Sequence, residues 1–248
     1  MPTRLTLDDH LTALRHSGKA LGEAAAAAGL EAKVPTCPSW TVSALVSHQG
    51  MVHRWAAANL RRERDHDADA SLAAAAETPD LLEWYSAGLD ALLETIAATA
   101  DDAEAFVFLN DAPPPRRFWA RRQAHETAIH RADAEAAAPA GDVTPFDAPF
   151  AQDGIAELLN GFARRRSNAI ARPGTVGLDA ADGPSWLITL GGERIEAAPS
   201  EDLVETDVVV RGLSSDLYLW LWNRPTEAAV DGDEAVAAAW SSVRVHWS

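Results

Sequence analysis

Residues 125–130 read His-Glu-Thr-Ala-Ile-His, three side chains of metal-binding type within six positions. An α-helix turns about 100° per residue, so His125 and His130, five apart, point roughly 140° away from each other and cannot share one ion. Glu126 and His130 are four apart and stack on one face, which is the separation a carboxylate and an imidazole need to converge on a metal. The spacing is one residue too long for the HExxH protease helix, so a glutamate general base of that kind is excluded. An ordinary ion pair on a helix surface has the same i, i+4 spacing. Metal binding therefore requires a third donor from another element.

The elements that must bring such a donor in are readable from the apolar periodicity. Residues 6–29 carry helical spacing, open on Thr6 as a cap and close on Gly29. A second helix is expected from Thr41 over TVSALVSHQGMVHRWAAANLRR, where Leu45, His48, Val52 and Trp55 follow at steps of three, four and three and define a buried stripe. Residues 61–77 read as a polar, alanine-rich connection. A third helix over 78–100 is expected to start with Thr78 as cap and Pro79 at its first position. After the proline run at 113–115, RRFWARRQAHETAIHRADAE resumes the helical period. Four helices of bundle length thus fill the first half.

From about residue 139 the segment PAGDVTPFDAPF is punctuated by proline and glycine and marks a domain junction. One further helix, AQDGIAELLNGFARRRS, is expected after it. TVGLDAADGPSWLITLGGERIEAA and VETDVVVRG alternate around turn signals and predict short antiparallel strands, and SSDLYLWLWNR and DGDEAVAAAWSSV predict two closing helices. The fold class is α+β in two domains, 1–145 and 146–248, the first a four-helix bundle and the second a small α+β domain with an antiparallel sheet.

Composition narrows the partners. The 248 residues are 47% hydrophobic and 23% charged, which is globular composition, and 37 acidic against 21 basic side chains give a net charge of −16. That charge repels phosphate backbones and anionic membranes, so neither nucleic acid nor membrane is an expected partner. Cys37 is the sole cysteine, which excludes an intrachain disulfide and a thiolate cage and favours a reducing compartment. With no secretory pattern at the N-terminus and no spanning apolar run, a cytoplasmic location is expected.

The third donor should be an imidazole or carboxylate forced inward on another helix. His48 meets that description better than the other histidines, although a lone histidine on an apolar stripe is commonly a hydrogen-bonded core residue. His48, Glu126 and His130 would occupy one side of an ion and leave the rest open to water or substrate, as in catalytic His₂Glu zinc sites. The chain offers no nucleophile elbow, P-loop or dinucleotide fingerprint, and Cys37, between Thr36 and Pro38, reads as a small packed residue before the second helix.

CPSWTVSALVSHQGMVHRW and RRQAHETAIHRADAE, in this order and separation, resemble the mycothiol-dependent maleylpyruvate isomerase family, whose N-terminal part is a DinB-like four-helix bundle. VGLDAADGPSW, DVVVRGLSSDLYLWLWNR and DGDEAVAAAW resemble that family's C-terminal domain, similar in build to sterol-carrier domains. The resemblance covers nearly the whole chain. It implies a divalent metal, usually zinc, on a second-helix histidine and a Glu-x-x-x-His pair, positions that match His48, Glu126 and His130. It also implies mycothiol as an external thiol that adds to an electrophilic small molecule, either leaving again, as in a cis-trans isomerase, or staying attached, as in an S-transferase.

The family's isomerase grips substrate carboxylates with arginines, but residues 78–100 contain no Arg or Lys here. Arg54, Arg121, Arg122, Arg211 and Arg224 are the basic candidates, each with a solvated surface role as its default. Trp55, Trp84 and Trp119 are candidates to line an apolar pocket. Two other classes stay open. One is a small-molecule or lipid-binding protein with a structural metal or none; the other is a metal-assisted hydrolase that needs no thiol.

Overall fold

The computed structural model describes residues 4–63, 65–109, 112–164, 170, 172–191 and 194–243. The chain divides into two compact units, Thr6–Thr144 and Pro145–Ser248, the latter grouped with Met1–Leu5.

The first unit is helical: α1 (Leu7–Ala28), α2 (Val42–Leu60), α3 (Ala68–Glu77), α4 (Leu81–Ala98) and α5 (Pro115–Ala137). Thr6 opens α1 through a reciprocal capping box, its Oγ1 accepting from the Asp9 amide at 3.2 Å while Asp9 Oδ2 accepts from the Thr6 amide at 2.8 Å. Thr41 Oγ1 accepts from the Ala44 amide at 3.2 Å and caps α2. The α1, α2, α4 and α5 helices form the bundle, with α1 packed on α5 and α4, and α2 packed on α4 and α5. Leu21, Val34, Val42, Leu45, Val46 and Tyr85 are among its buried residues.

Two expectations are corrected here. The 61–77 connection holds the ten-residue α3, capped by Asp67, whose Oδ1 accepts from the Asp69 and Ala70 amides. Alanine's high helix propensity forms it although only Ala75 is buried, so no apolar stripe announced it. The cap of α4 is Asp80 rather than Thr78, its Oδ1 accepting from the Glu83 amide at 3.0 Å. Pro79 holds Thr78 in extended geometry, φ −69° and ψ 139°, where it ends α3 instead.

The α2–α4 contact is reciprocal. Arg54 lays its guanidinium 3.6 Å from the centroid of the Trp84 ring and donates to the carbonyls of Gly50 and Trp84. A Cβ at Gly50 would overlap the Trp84 ring, and one at Gly88 would overlap the Arg54 guanidinium. Each glycine is thus the hole that receives the partner helix's large side chain. Gly50→Ala is expected to lower stability by about 1–3 kcal/mol through overpacking, read as a lower urea midpoint in helical circular dichroism. An unchanged midpoint would show that Trp84 swings aside without cost.

The second unit carries α6 (Ala148–Glu157) running into a π turn (Leu158–Phe162), strands β1 (Gly174–Ala180), β2 (Trp186–Leu190), β3 (Glu196–Pro199) and β4 (Val208–Gly212), helix α7 (Ser214–Leu221), strand β5 (Ala229–Gly232) and helix α8 (Glu234–Ala239) with a terminal 3₁₀ turn. The expected tail of the α6 segment, residues 165–167, and the second glycine of the 191–192 turn lie outside the described residues. The sheet order is β3-β2-β1-β4-β5. The β1–β2, β2–β3 and β4–β5 pairs are antiparallel as expected. The β1–β4 pair is parallel, with Val176 opposite Val208 and Leu178 opposite Val210. Strands β2 and β3 and the following turn intervene, long enough a connection to bring β4 back in the direction of β1. Asp231 and Gly232, expected to open the last helix, instead belong to β5. Asn223, at φ +56°, ends α7 two residues before Pro225. Among the described residues no helix is long and apolar enough to cross a membrane.

Candidate metal centre

The helical phase predicted for α5 is what the structure shows. Glu126 and His130 share one face, with His130 Nε2 3.4 Å from Glu126 Oε1. His125 packs instead toward α1, its ring 6.1 Å from that of His10. His48 comes in from α2, with its Nε2 3.9 Å from the same Glu126 oxygen. One donor atom from each of His48, Glu126 and His130 lies within 4.8 Å of the other two. Two imidazole nitrogens and one carboxylate oxygen at this separation are a donor set suited to a divalent ion of the zinc type, so the residues fit the group.

Each donor is held by its surroundings. Glu126 Oε2 accepts from Arg122 Nη2 at 2.9 Å, one turn earlier on α5, which leaves Oε1 to face both imidazoles. His130 Nδ1 lies 3.0 Å from Asp133 Oδ2, and Asp133 Oδ1 accepts from the Thr36 hydroxyl at 2.5 Å. The indole of Trp40 packs beside both imidazoles, with ring centroids 4.9 Å from His48 and 6.0 Å from His130. The His48 side chain is 28% exposed against 15% for Glu126 and 11% for His130, so solvent reaches the cluster from the His48 side.

The electrostatics of the cluster follow from these contacts. Burial opposes a charge on Glu126, but hydrogen bonds from His130 and His48 and the Arg122 guanidinium outweigh it and hold the carboxyl well below its usual range. Burial likewise opposes charge on His130, but Asp133 and Glu126 together raise it to about 9.

Beside the cluster runs a fully buried polar group. His53 Nε2 lies 2.9 Å from Thr127 Oγ1 and 2.9 Å from Gln49 Nε2, and Gln49 Nε2 donates to Thr127 at 3.1 Å. The His53 ring also packs 5.5 Å from that of Tyr85. Burial, reinforced by the Arg54 charge, pushes His53 down to about 3, so it is neutral at ordinary pH.

The structure corrects the stripe drawn on α2. Val42, Leu45, Val46, Gln49, Gly50, His53, Ala56, Ala57 and Leu60 face inward, while His48, Val52 and Trp55 lie half-buried at its edge. His53 is therefore the deeply buried histidine of this helix, and His48 meets the α5 pair from the margin. Sequence reasoning did not find Thr36, Trp40, Asp133 or the His53 group. The one local signal was Asp133 at i+3 from His130, a spacing that lets the two side chains meet.

The other candidate residues are placed as follows. Arg122 touches Glu126, as described. Arg54 is engaged with Gly50, Trp84 and the Trp84 ring, and Arg121 is buried in α5. Trp55 and Trp119 meet edge to face at 5.0 Å, with Phe108 packed against both. Trp55 is seven residues past His48 and Trp119 seven before Glu126, which puts this aromatic group on the donors' helix faces about 10 Å along. In the second unit Arg211 pairs with Asp179 and Asp231, and Arg224 donates to the Trp222 carbonyl. Cys37 is half-buried against the bundle core.

Fold and cluster together define a two-domain α+β chain whose helical unit carries a convergent His-Glu-His set. The profile for the mycothiol maleylpyruvate isomerase N-terminal domain matches residues 11–135, and that for the C-terminal domain of the same proteins matches residues 149–239. The chain belongs to the mycothiol maleylpyruvate isomerase family. The crystal structure of the mycothiol-dependent maleylpyruvate isomerase is similar in fold, with a TM-score of 0.63 and 18% sequence identity over 93% of this chain and 96% of that one. A histidine-to-alanine mutant of that isomerase matches with the same values. A search of curated proteins returned no match.

Proposed function

We propose that the chain is a divalent-metal-dependent enzyme that uses mycothiol as a cosubstrate, acting as an S-transferase or as a maleylpyruvate-type cis-trans isomerase on an electrophilic small molecule. The observation that carries this reading is the approach of His48 Nε2 and His130 Nε2 to one oxygen of Glu126, at 3.9 and 3.4 Å, from two helices and with one side exposed. Family membership supports the choice of thiol, since mycothiol stands in the family's name.

His48, Glu126 and His130 would hold the ion. When bound, zinc or a similar ion would lower the pKa of an incoming thiol so that it is presented as a thiolate. The protein's own groups then have limited tasks. Arg122 keeps the second Glu126 oxygen occupied, Asp133 keeps a hydrogen on His130 Nδ1, and the Trp40 indole shields both imidazoles from water on one side. The half-buried Trp55 and Phe108, backed by the fully buried Trp119, offer an apolar surface for a substrate. The domain boundaries proposed with this reading are 1–145 for the metal-binding bundle and 146–248 for the C-terminal domain. A cytoplasmic location accords with the thiol's reducing chemistry.

The test is metal content of purified wild type and His48→Ala, followed by calorimetric titration of both with mycothiol. About one equivalent of divalent metal, lost in the variant, with thiol binding confined to the metal-loaded protein, is the expected result. Absence of metal from both after loading would defeat the reading, and turnover of an ester or amide without thiol would redirect it to hydrolysis.

A further inference from the structure

His130 is restrained from the side opposite the cluster, by a segment that no periodicity connects to it. The Val34–Thr41 loop is braced by its own backbone: Val34 N donates to Trp40 O at 3.2 Å, Cys37 N to Val34 O at 3.1 Å and Trp40 N to Cys37 O at 2.8 Å, with a bridge between Lys33 and Thr41. Val34 is fully buried beneath it. This bracing fixes the Thr36 hydroxyl 2.5 Å from Asp133 Oδ1, across 97 residues of sequence. Asp133 is itself fully buried, and its other oxygen meets His130 Nδ1 at 3.0 Å. A carboxylate can only accept, so Nδ1 must carry the hydrogen. The lone pair of the neutral ring is then on Nε2, the atom 3.4 Å from Glu126.

We propose that Asp133, oriented by Thr36 of this loop, is the positioning residue that presents His130 to a metal ion, fixing both the tautomer and the ring plane. The inference rests on the metal reading above and deepens it: the loop before α2 sets the affinity of the site without touching the ion. Partners of this kind typically contribute 10–100-fold to metal affinity. Thr36→Val removes the hydroxyl at nearly constant volume, and Asp133→Leu removes the acceptor while keeping the site filled.

Zinc affinity by competition with a chromophoric chelator is measured for wild type, Thr36→Val, Thr36→Ser and Asp133→Leu, together with the imidazole nitrogen shifts of His130 in the zinc-loaded proteins and in the metal-free proteins at a pH above the value of about 9 to which its neighbours raise the ring, where it is neutral. The expected result is a loss of about tenfold or more in Asp133→Leu, a smaller loss of about fivefold in Thr36→Val, and wild-type affinity in Thr36→Ser. In wild type His130 should hold its hydrogen on Nδ1 throughout, and in metal-free Asp133→Leu it should lose that preference. Affinities within twofold of wild type in both Thr36→Val and Asp133→Leu would overturn the proposal. So would weaker binding with an unchanged Nδ1–H signature, because the loop would then only brace the bundle. Failure of wild type to bind zinc would defeat the metal reading instead, with the metal-free spectra still deciding whether Asp133 orients the ring.

Discussion

Glu126→Ala is expected to abolish metal binding and to destabilise the metal-free protein at the same time. Both imidazole Nε2 atoms approach Glu126 Oε1, so its loss should weaken metal affinity by more than the ~10–100-fold that outer-shell changes cost. Glu126 Oε2 meets Arg122, whose side chain is 2% exposed. Removing the carboxylate takes the Glu126 ion pair away from that guanidinium in a region poorly reached by water, and breaking a buried pair from one side costs up to about 3 kcal/mol. Glu126→Gln separates the two effects, because an amide oxygen can still accept from Arg122 while the charge that attracts an ion is gone. The double readout is chelator competition and urea denaturation of the metal-free forms. The expected order is wild type, Gln, Ala for stability, with both variants far below wild type in affinity. A Glu126→Ala protein that keeps its zinc affinity would remove Glu126 from the donor set, and one as stable as wild type would show that Arg122 is satisfied elsewhere.

What was legible in the sequence follows from how local each feature is. The Glu126/His130 pair was readable because helix geometry alone fixes the relation of residues four apart, and the same arithmetic turned His125 away. His48 was reached through a stripe that the structure moves by one residue: Gln49 and His53 point into the bundle and His48 stands at its edge. Periods of three and four leave a residue at the boundary of a stripe assigned to either side, and the packing of α4 and α5 against α2 decides which. The α3 helix had propensity without amphipathicity, and the shift of the α4 cap from Thr78 to Asp80 turned on a proline restricting the residue before it.

The parts that stayed hidden are contacts between distant segments. Thr36 meeting Asp133, Trp40 meeting both imidazoles and β4 lying parallel to β1 depend on how whole elements pack, and no window of sequence contains both partners. The CPSW stretch was visible as part of a motif, yet its spacing carries no statement about what it touches. The consequence is that the three candidate donors were readable from helices, whereas Thr36 and Trp40, which meet Asp133 and the imidazoles, arrive on a loop and had to be seen in the fold.

Acidification should unfold the bundle partly through His53. Its folded pKa is about 3 against 6.5 for the free side chain, chiefly because full burial disfavours the charged ring. Between those values the unfolded chain binds a proton that the folded one does not, so stability falls as pH drops below 6.5 and the loss is complete near pH 3. From pH 7.5 to pH 5 this single group should remove about 2 kcal/mol of the unfolding free energy, as its two pKa values require. His130 acts in the same interval with the opposite sign, because its folded value is raised to about 9 and its stabilisation grows as the pH falls toward the unfolded value of 6.5, so the quantity to measure is the difference between wild type and His53→Gln at each pH, with metal removed from both. Glutamine keeps a polar group near Gln49 and Thr127 and does not titrate. The variant should be less stable than wild type at pH 7.5, because it gives up the fitted ring against Tyr85, and should lose about 2 kcal/mol less on going to pH 5. Parallel declines in the two proteins would mean that the His53 ring accepts its proton inside the fold, for instance by breaking its contact with Gln49 Nε2 and turning the amide oxygen toward the ring. That outcome would make the buried polar group beside His48, Glu126 and His130 a proton-binding element, where the geometry of the neutral ring makes it a structural one.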